Sequence, residues 1–140
     1  MRYVLDTNVF NRVLDGFDLS AFLPSSDLVA THIQSDEIAK TPDEARRTLL
    51  QQTFAQLVRI VLPTNSAVWD VSRWDQAGWR EGPYFDSVLA GLEAHRRRIN
   101  NREDALIAEV ALAASYTLVT ADRALADVVE ALGGLVLRLA

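Results

Sequence analysis

Two short apolar runs each end at an aspartate. Asp6 closes the run at residues 2 to 5 (RYVL), and Asp122 stands two residues beyond the run at 116 to 120 (YTLVT). Runs of this length and make-up predict buried strands, and helix-starting residues follow both, so the two carboxylates are expected at the edge of a sheet where its strands end. Each could equally cap the helix behind it, the usual work of aspartate there. Asp104 falls in the first turn of a helix whose interior, Ala105 to Ala114, is apolar on nearly every side except Glu109. Asn100 or Asn101 already fits the cap of that helix, which leaves Asp104 to complement the helix dipole or to do chemistry. A further acid lies on the helix after the run at 27 to 30 (DLVA), where the pattern alone does not choose between Asp36 and Glu37. Carboxylates gathered at one edge repel one another unless something positive sits among them, and a hard divalent cation is the simplest remedy. Magnesium and manganese prefer oxygen ligands and keep several waters. Such an ion eases deprotonation of water and polarises a phosphoryl oxygen, and a second ion about 3.5 to 4 Å away could hold the leaving oxygen. Phosphodiester hydrolysis is the chemistry this implies.

The elements that must position these acids follow from the same reading. Thr31 and Gln34 form a capping box for a helix over about 32 to 40. Thr41-Pro42-Asp43-Glu44 reads as a stronger box, with proline at the first helical position and a helix running to about Arg59. Ala45, Leu49, Leu50, Phe54, Leu57 and Val58 are expected on its apolar face. Residues 60 to 62 (IVL) predict a short buried strand. Residues 64 to 83, with Trp69, Trp74 and Trp79, are the least regular stretch and read as a loop excursion; one or two of these indoles are expected in the core, with stacking on unpaired bases as the alternative. A helix over about 84 to 99 ends in His95-Arg96-Arg97-Arg98, cations suited to its negative end and expected to be solvated. A helix over 122 to 132 is closed by Gly133-Gly134, and 135 to 139 (LVLRL) predicts a last strand. Short apolar strands alternating with helices predict one α/β domain over 1–140, a three-layer sandwich about a central parallel sheet of four to five strands. Ligands of such sheets bind beyond the carboxyl ends of the strands, where strand order reverses.

Composition narrows the function classes. The chain has 140 residues, 49% hydrophobic and 24% charged, which suits a single globular core. No cysteine is present, so disulfides, thiolate zinc sites and cysteine nucleophiles are excluded. No run approaches the roughly 18 to 20 apolar residues of a membrane span, and the N-terminus reaches acid and amide side chains too early for a signal peptide, so a cytoplasmic protein is expected. A net charge of -5 argues against indiscriminate coating of nucleic acid. The cations are 13 arginines against the single Lys40, and arginine's planar fork is the better phosphate ligand. His32 and His95 lie on different helices without a second ligand at metal spacing, so surface or cap roles are expected and a histidine nuclease is not. A haloacid dehalogenase would want an aspartate where Asn8 stands and a lysine near the site, and no glycine-rich phosphate loop exists.

The segments VLDTNVF (Val4 to Phe10), HIQSDEIAK (His32 to Lys40) and EDALIAEVALAASYTLVTAD (Glu103 to Asp122), with the closing strand, resemble the PIN-domain family, particularly the VapC-like toxins of bacterial toxin–antitoxin pairs. Carried over residue by residue, the family's metal-holding catalytic acids fall on Asp6, Glu37, Asp104 and Asp122. A departure is Leu125, where a phenylalanine commonly follows the fourth acid, so Asp122 rests on the weakest match. The resemblance implies a Mg2+ or Mn2+ cofactor and hydrolysis of single-stranded RNA leaving a 5′-phosphate. It also implies a small antitoxin partner, a homodimer, and a role for Thr7 or Asn8 beside the first acid. Thr7, Asn8, Arg46, Arg98 and Arg102 are therefore the expected substrate-binding residues, with Arg47, Arg96 and Arg97 as further local guides for RNA. A housekeeping RNA-processing nuclease and a noncatalytic PIN-like scaffold binding RNA or protein are the alternatives; the scaffold's acids would usually be incomplete, whereas all four are present here.

Overall fold

The computed structural model describes residues 2–23, 27–66, 84–96 and 100–139. In it, β1 (Tyr3–Leu5), β2 (Leu28–Thr31), β3 (Ile60–Leu62), β4 (Thr117–Thr120) and β5 (Leu135–Arg138) form one sheet in the order β3-β2-β1-β4-β5. Every pairing is parallel. Parallel neighbours need crossovers, and these are supplied by α1 (Thr7–Leu14), α2 (His32–Ala39), α3 (Glu44–Leu57), α4 (Phe85–His95), α5 (Asn101–Ala114) and α6 (Arg123–Ala131). The expected α/β sandwich with a parallel sheet is the observed one, with five strands.

Alternation along the strands sorts the two faces. Val4, Val29 and Leu118 point into a core with α4, α5 and α6, while Leu5, Leu28, Ala30 and Val119 point into a second core with α1 and α3. Burial on both faces explains why β2 and β4 read as continuous apolar runs. Tight helix packing completes the first core: a Cβ on Gly91 of α4 would lie 2.8 Å from Val128 Cγ1 of α6. Strand order reverses between β1 and β4, and the Asp6 amide extends their ladder by donating to the Val119 carbonyl at 3.0 Å. The crevice of the fold therefore opens where Asp6 and Asp122 leave their strands.

Several element ends differ from expectation for local reasons. The cap of α3 is Asp43, whose carboxylate accepts the Arg46 amide at 3.0 Å, so Pro42 lies outside the helix instead of opening it. That helix stops at Leu57 because Val58 is already extended toward β3. On its core face Leu50, Phe54 and Leu57 keep the i, i+4, i+7 stripe, while Leu49 and Ala45 fall to its side and are exposed. Ile60 and Val61 are likewise exposed on the edge strand β3 instead of buried. The helix expected over 84 to 99 ends at His95, where Arg96 turns extended. The Thr31–Gln34 capping box is present, and the turn after α6 uses Gly133 at φ +85 with Gly134 donating to Val129. Trp69, Trp74, Trp79, Arg97 and Arg98 lie outside the described residues.

Candidate active site

Asp6 is buried in the switch-point crevice and held by three donors. Its Oδ1 accepts the Thr7 amide at 2.8 Å, and its Oδ2 accepts the Thr120 hydroxyl at 2.7 Å and the Asn8 amide at 3.0 Å. Asn8 Oδ1 in turn accepts the Ala121 amide at 3.2 Å, and Thr120 Oγ1 accepts the Asp122 amide at 3.0 Å. The ends of β1 and β4 are thus stitched together through the first acid. Burial pushes the Asp6 carboxyl above its usual range; the Thr120 and Thr7 hydrogen bonds oppose that, and the negative charge of Asp122 adds to it.

Glu37 arrives from α2, which is fixed to β1 by Gln34 Nε2 donating to the Leu5 carbonyl at 2.9 Å. Its Oε1 accepts the Thr7 hydroxyl at 2.8 Å, so of the pair Asp36 and Glu37 it is Glu37 that joins Asp6. Burial, opposed by the Thr7 bond and joined by the charges of Asp6 and Glu103, raises its carboxyl to about 7. Asp104, in the first turn of α5, is 5% exposed. Burial followed by the charges of Asp6 and Glu37 pushes it up to about 8, even though Arg96 opposes the shift. Asp122 caps α6 through the Leu125 amide, accepted at 3.2 Å by Oδ1.

Acids from three other segments are therefore electrostatic neighbours of Asp104, and Arg96 lies between Asp104 and Asp122. Its guanidinium donates to Asp104 Oδ2 at 2.6 Å, to Asp122 Oδ2, and through Nε to Asn101 Oδ1 at 3.0 Å. The expected solvated helix end is instead an arginine side chain 11% exposed, drawn inward because one cation there offsets buried carboxylates. The donors left by the acids are all oxygens, which suits a hard divalent ion, and one guanidinium against four carboxylates leaves the cluster short of positive charge. Among the described residues no three Asp, Glu or His side chains, as they are placed, stand together in a group that could hold a metal ion.

The other expected contacts divide. Thr7 and Asn8 are at the site, where they orient Glu37 and Asp6. Arg46 is at the opposite end of α1 and is bound to Asp15 at 2.9 and 3.1 Å and to Asn11 at 2.9 Å. Arg47 bonds the Thr41 carbonyl at 3.0 Å, and Arg102 is exposed on the first turn of α5. His32 is buried at 2% exposure instead of taking a surface role. The residues that sequence reasoning missed are Thr120 and Asn101, which hold Asp6 and Arg96, and the outward pair Arg12 and Arg123. Arg12 and Arg123, with Asn8, Arg96 and Asp122, line an open groove of about 520 Å³. Thr120 carried a readable signal, a hydroxyl at the end of the strand that leads to Asp122.

No protein-family model matches the chain, and no curated protein does. Solved structures do match over its whole length. One chain in the structure of VapBC2 from Rickettsia felis, bound to a DNA fragment from their promoter, superposes with a TM-score of 0.64 at 18% identity, covering 100% of each chain. The fold is PIN-like. The PIN-like fold recurs in VapBC-5 from Mycobacterium tuberculosis, a member of the VapBC family of toxin-antitoxin systems, at 19% identity and TM-score 0.53, covering 99% of this chain and 98% of that one. It recurs again in FitAcB from Neisseria gonorrhoeae at 17% identity and TM-score 0.53, covering 97% and 96%.

Proposed function

We propose that this protein is a metal-dependent endoribonuclease that hydrolyses single-stranded RNA, and that it is the toxin of a toxin–antitoxin pair. The observation that carries the reading is the convergence of Asp6, Glu37, Asp104 and Asp122 on the sheet's switch point, with Asp104 driven up to about 8 by its burial and acidic neighbours. A cluster so short of positive charge is suited to Mg2+ or Mn2+. Asp6, Glu37 and Asp104 would hold the ion, with Asp122 beside them. When bound, the ion supplies Lewis acidity toward the phosphoryl group and a more acidic water. The chain's own part is orientation: three donors fix Asp6, the Thr7 hydroxyl fixes Glu37, and Arg96 presents a permanent cation at the rim. In the reaction a water oxygen bonds to phosphorus, the P–O3′ bond breaks, and the 3′ oxygen takes a proton, leaving a 5′-phosphate. The toxin reading draws on the VapBC and FitAcB likeness, and a small antitoxin and a homodimer belong to it. Among the described residues no helix is long and apolar enough to cross a membrane; the cytoplasm belongs to the proposal as the place of the RNA target.

Incubating the protein with a mixed RNA pool, with Mn2+ and with EDTA, and mapping product ends tests the chemistry. Cleavage in Mn2+ alone, lost in Asp6→Asn while the circular dichroism spectrum is unchanged, is the expected result; full activity in that variant contradicts it. Sequence-specific cuts favour a toxin and broad trimming a processing enzyme. Harmless overproduction without any partner would remove the toxin role.

A further inference from the structure

Asp122 stands where a fourth metal ligand is expected, yet unlike Asp6, whose three partners are neutral donors, it is bound by a cation of the chain itself. Oδ1 accepts the Leu125 amide and Oδ2 accepts Arg96. The guanidinium is held from other sides as well, by Asp104 Oδ2 at 2.6 Å and Asn101 Oδ1 at 3.0 Å, and the Asn101 amide returns a bond to the Arg96 carbonyl at 3.3 Å. Ordering a long arginine costs side-chain entropy, so three fixed partners for one guanidinium mark a built position. The start of its helix is anchored too, since Glu109 of α5 accepts the amides of Tyr84 and Phe85 at 3.0 and 2.6 Å. The 11 residues of α4 thus run from a clamp on α5 to the acid cluster. Arg96 also lines the groove shared by Asn8, Arg12, Asp122 and Arg123, so the cation faces the space where a nucleic-acid backbone would lie.

We propose that Arg96 is a built-in second cation: Asp122 is a positioning residue that holds the guanidinium, and the guanidinium takes the place beside Asp104 that a second divalent ion would occupy. The inference rests on the metal-dependent reading above and deepens it, because it sets the ion count at one, carried by Asp6, Glu37 and Asp104. Like charges decide the count. A divalent ion bound between Asp104 and Asp122 would stand within a few ångströms of a guanidinium that never loses its proton, and repulsion at that range is large wherever water is scarce. Arginine's planar fork suits a phosphate oxygen, so the charge a second ion would offer the substrate is already in the chain.

Titration calorimetry of Mn2+ into the full chain, checked by the electron paramagnetic resonance of free Mn2+, reads the count directly. The wild type is expected to bind one ion. Asp122→Asn should also bind one, with affinity within about threefold, while Arg96→Gln should bind two because Asp104 and Asp122 are then unneutralised; Arg96→Lys should return to one. Two ions in the wild type, loss of binding in Asp122→Asn, or a count of one in Arg96→Gln would each overturn the proposal. Should Arg96→Gln fail to fold, the wild-type and Asp122→Asn counts decide alone. Absence of Mn2+ binding in every protein is a different failure, that of the metal-dependent reading itself.

Discussion

Two buried acids on α5 have opposite surroundings. Glu109, in the middle of the helix, has no exposed surface and spends one oxygen on the two amides that open α4, its other oxygen having no partner among the described residues. Asp104, in the first turn, is nearly as buried but faces Asp6, Glu37 and Asp122. The first acid meets the positive end of a helix and serves packing. The second meets its own kind, and only Arg96 answers it. Burial alone therefore does not mark a functional carboxylate; the charge of its neighbours does.

Substitutions should break this comparison in order of size. Asp104→Asn is expected to lower RNA cleavage by roughly 1,000-fold or more, since several kcal/mol of charge stabilisation at phosphorus depends on the site. Glu109→Gln should leave cleavage by the folded protein within a few-fold in the same assay, and an equal loss in both would erase the distinction. Thr7→Val, which strips the hydroxyl from Glu37, should weaken Mn2+ affinity by about 10-fold or more, as removal of a ligand's supporting bond generally does; calorimetry reads it. Glu109→Ala leaves two amides unanswered and should cost about 1 to 3 kcal/mol, seen as a thermal midpoint lower by roughly 5 °C or more.

Acidity sharpens the same contrast. Glu37 and Asp104 rise from 4.5 and 3.8 to about 7 and about 8, so between those limits the folded chain keeps protons that the unfolded chain has released. Their contribution to stability is complete below the lower values and is lost as pH climbs through the upper ones. Metal-free protein should therefore melt several degrees lower at pH 8 than at pH 5 on the scale of roughly 1 kcal/mol or more, and added Mn2+ should restore most at pH 8. A metal-free midpoint that rises across that interval would mean the acids are compensated in some other way.

Much of the framework was legible in the sequence because it rests on local rules. The alternation of RYVL, DLVA, IVL and YTLVT with helical segments predicted a parallel sheet, and the Thr31–Gln34 box started α2 where expected. Local rules also misled where two candidates competed: Asp43 outdid Thr41 as a cap because its charged carboxylate reaches the Arg46 amide. Arg96 was named only as a guide for RNA, and its place between the acids was hidden for a different reason. Three consecutive arginines at a helix end look solvated, and only the tertiary fold shows that the chain turns there and delivers the first of them to carboxylates from α5 and from the end of β4. Arg46 carries the same lesson in reverse, since its partner Asp15 lies 31 positions away and takes it from the expected groove. The pattern alone left Asp36 and Glu37 open and the family resemblance chose Glu37; the bond that orients it comes from Thr7 of another element.

The central claim is that the carboxyl edge of the sheet is deficient by one hard cation, and melting of wild type and Asp104→Asn at pH 8, with and without Mn2+, tests it most directly. The prediction is that the variant melts higher than wild type without metal, and that Mn2+ raises the midpoint of the wild type but not of the variant. A variant that melts lower without metal, or gains as much from Mn2+ as the wild type does, would contradict it.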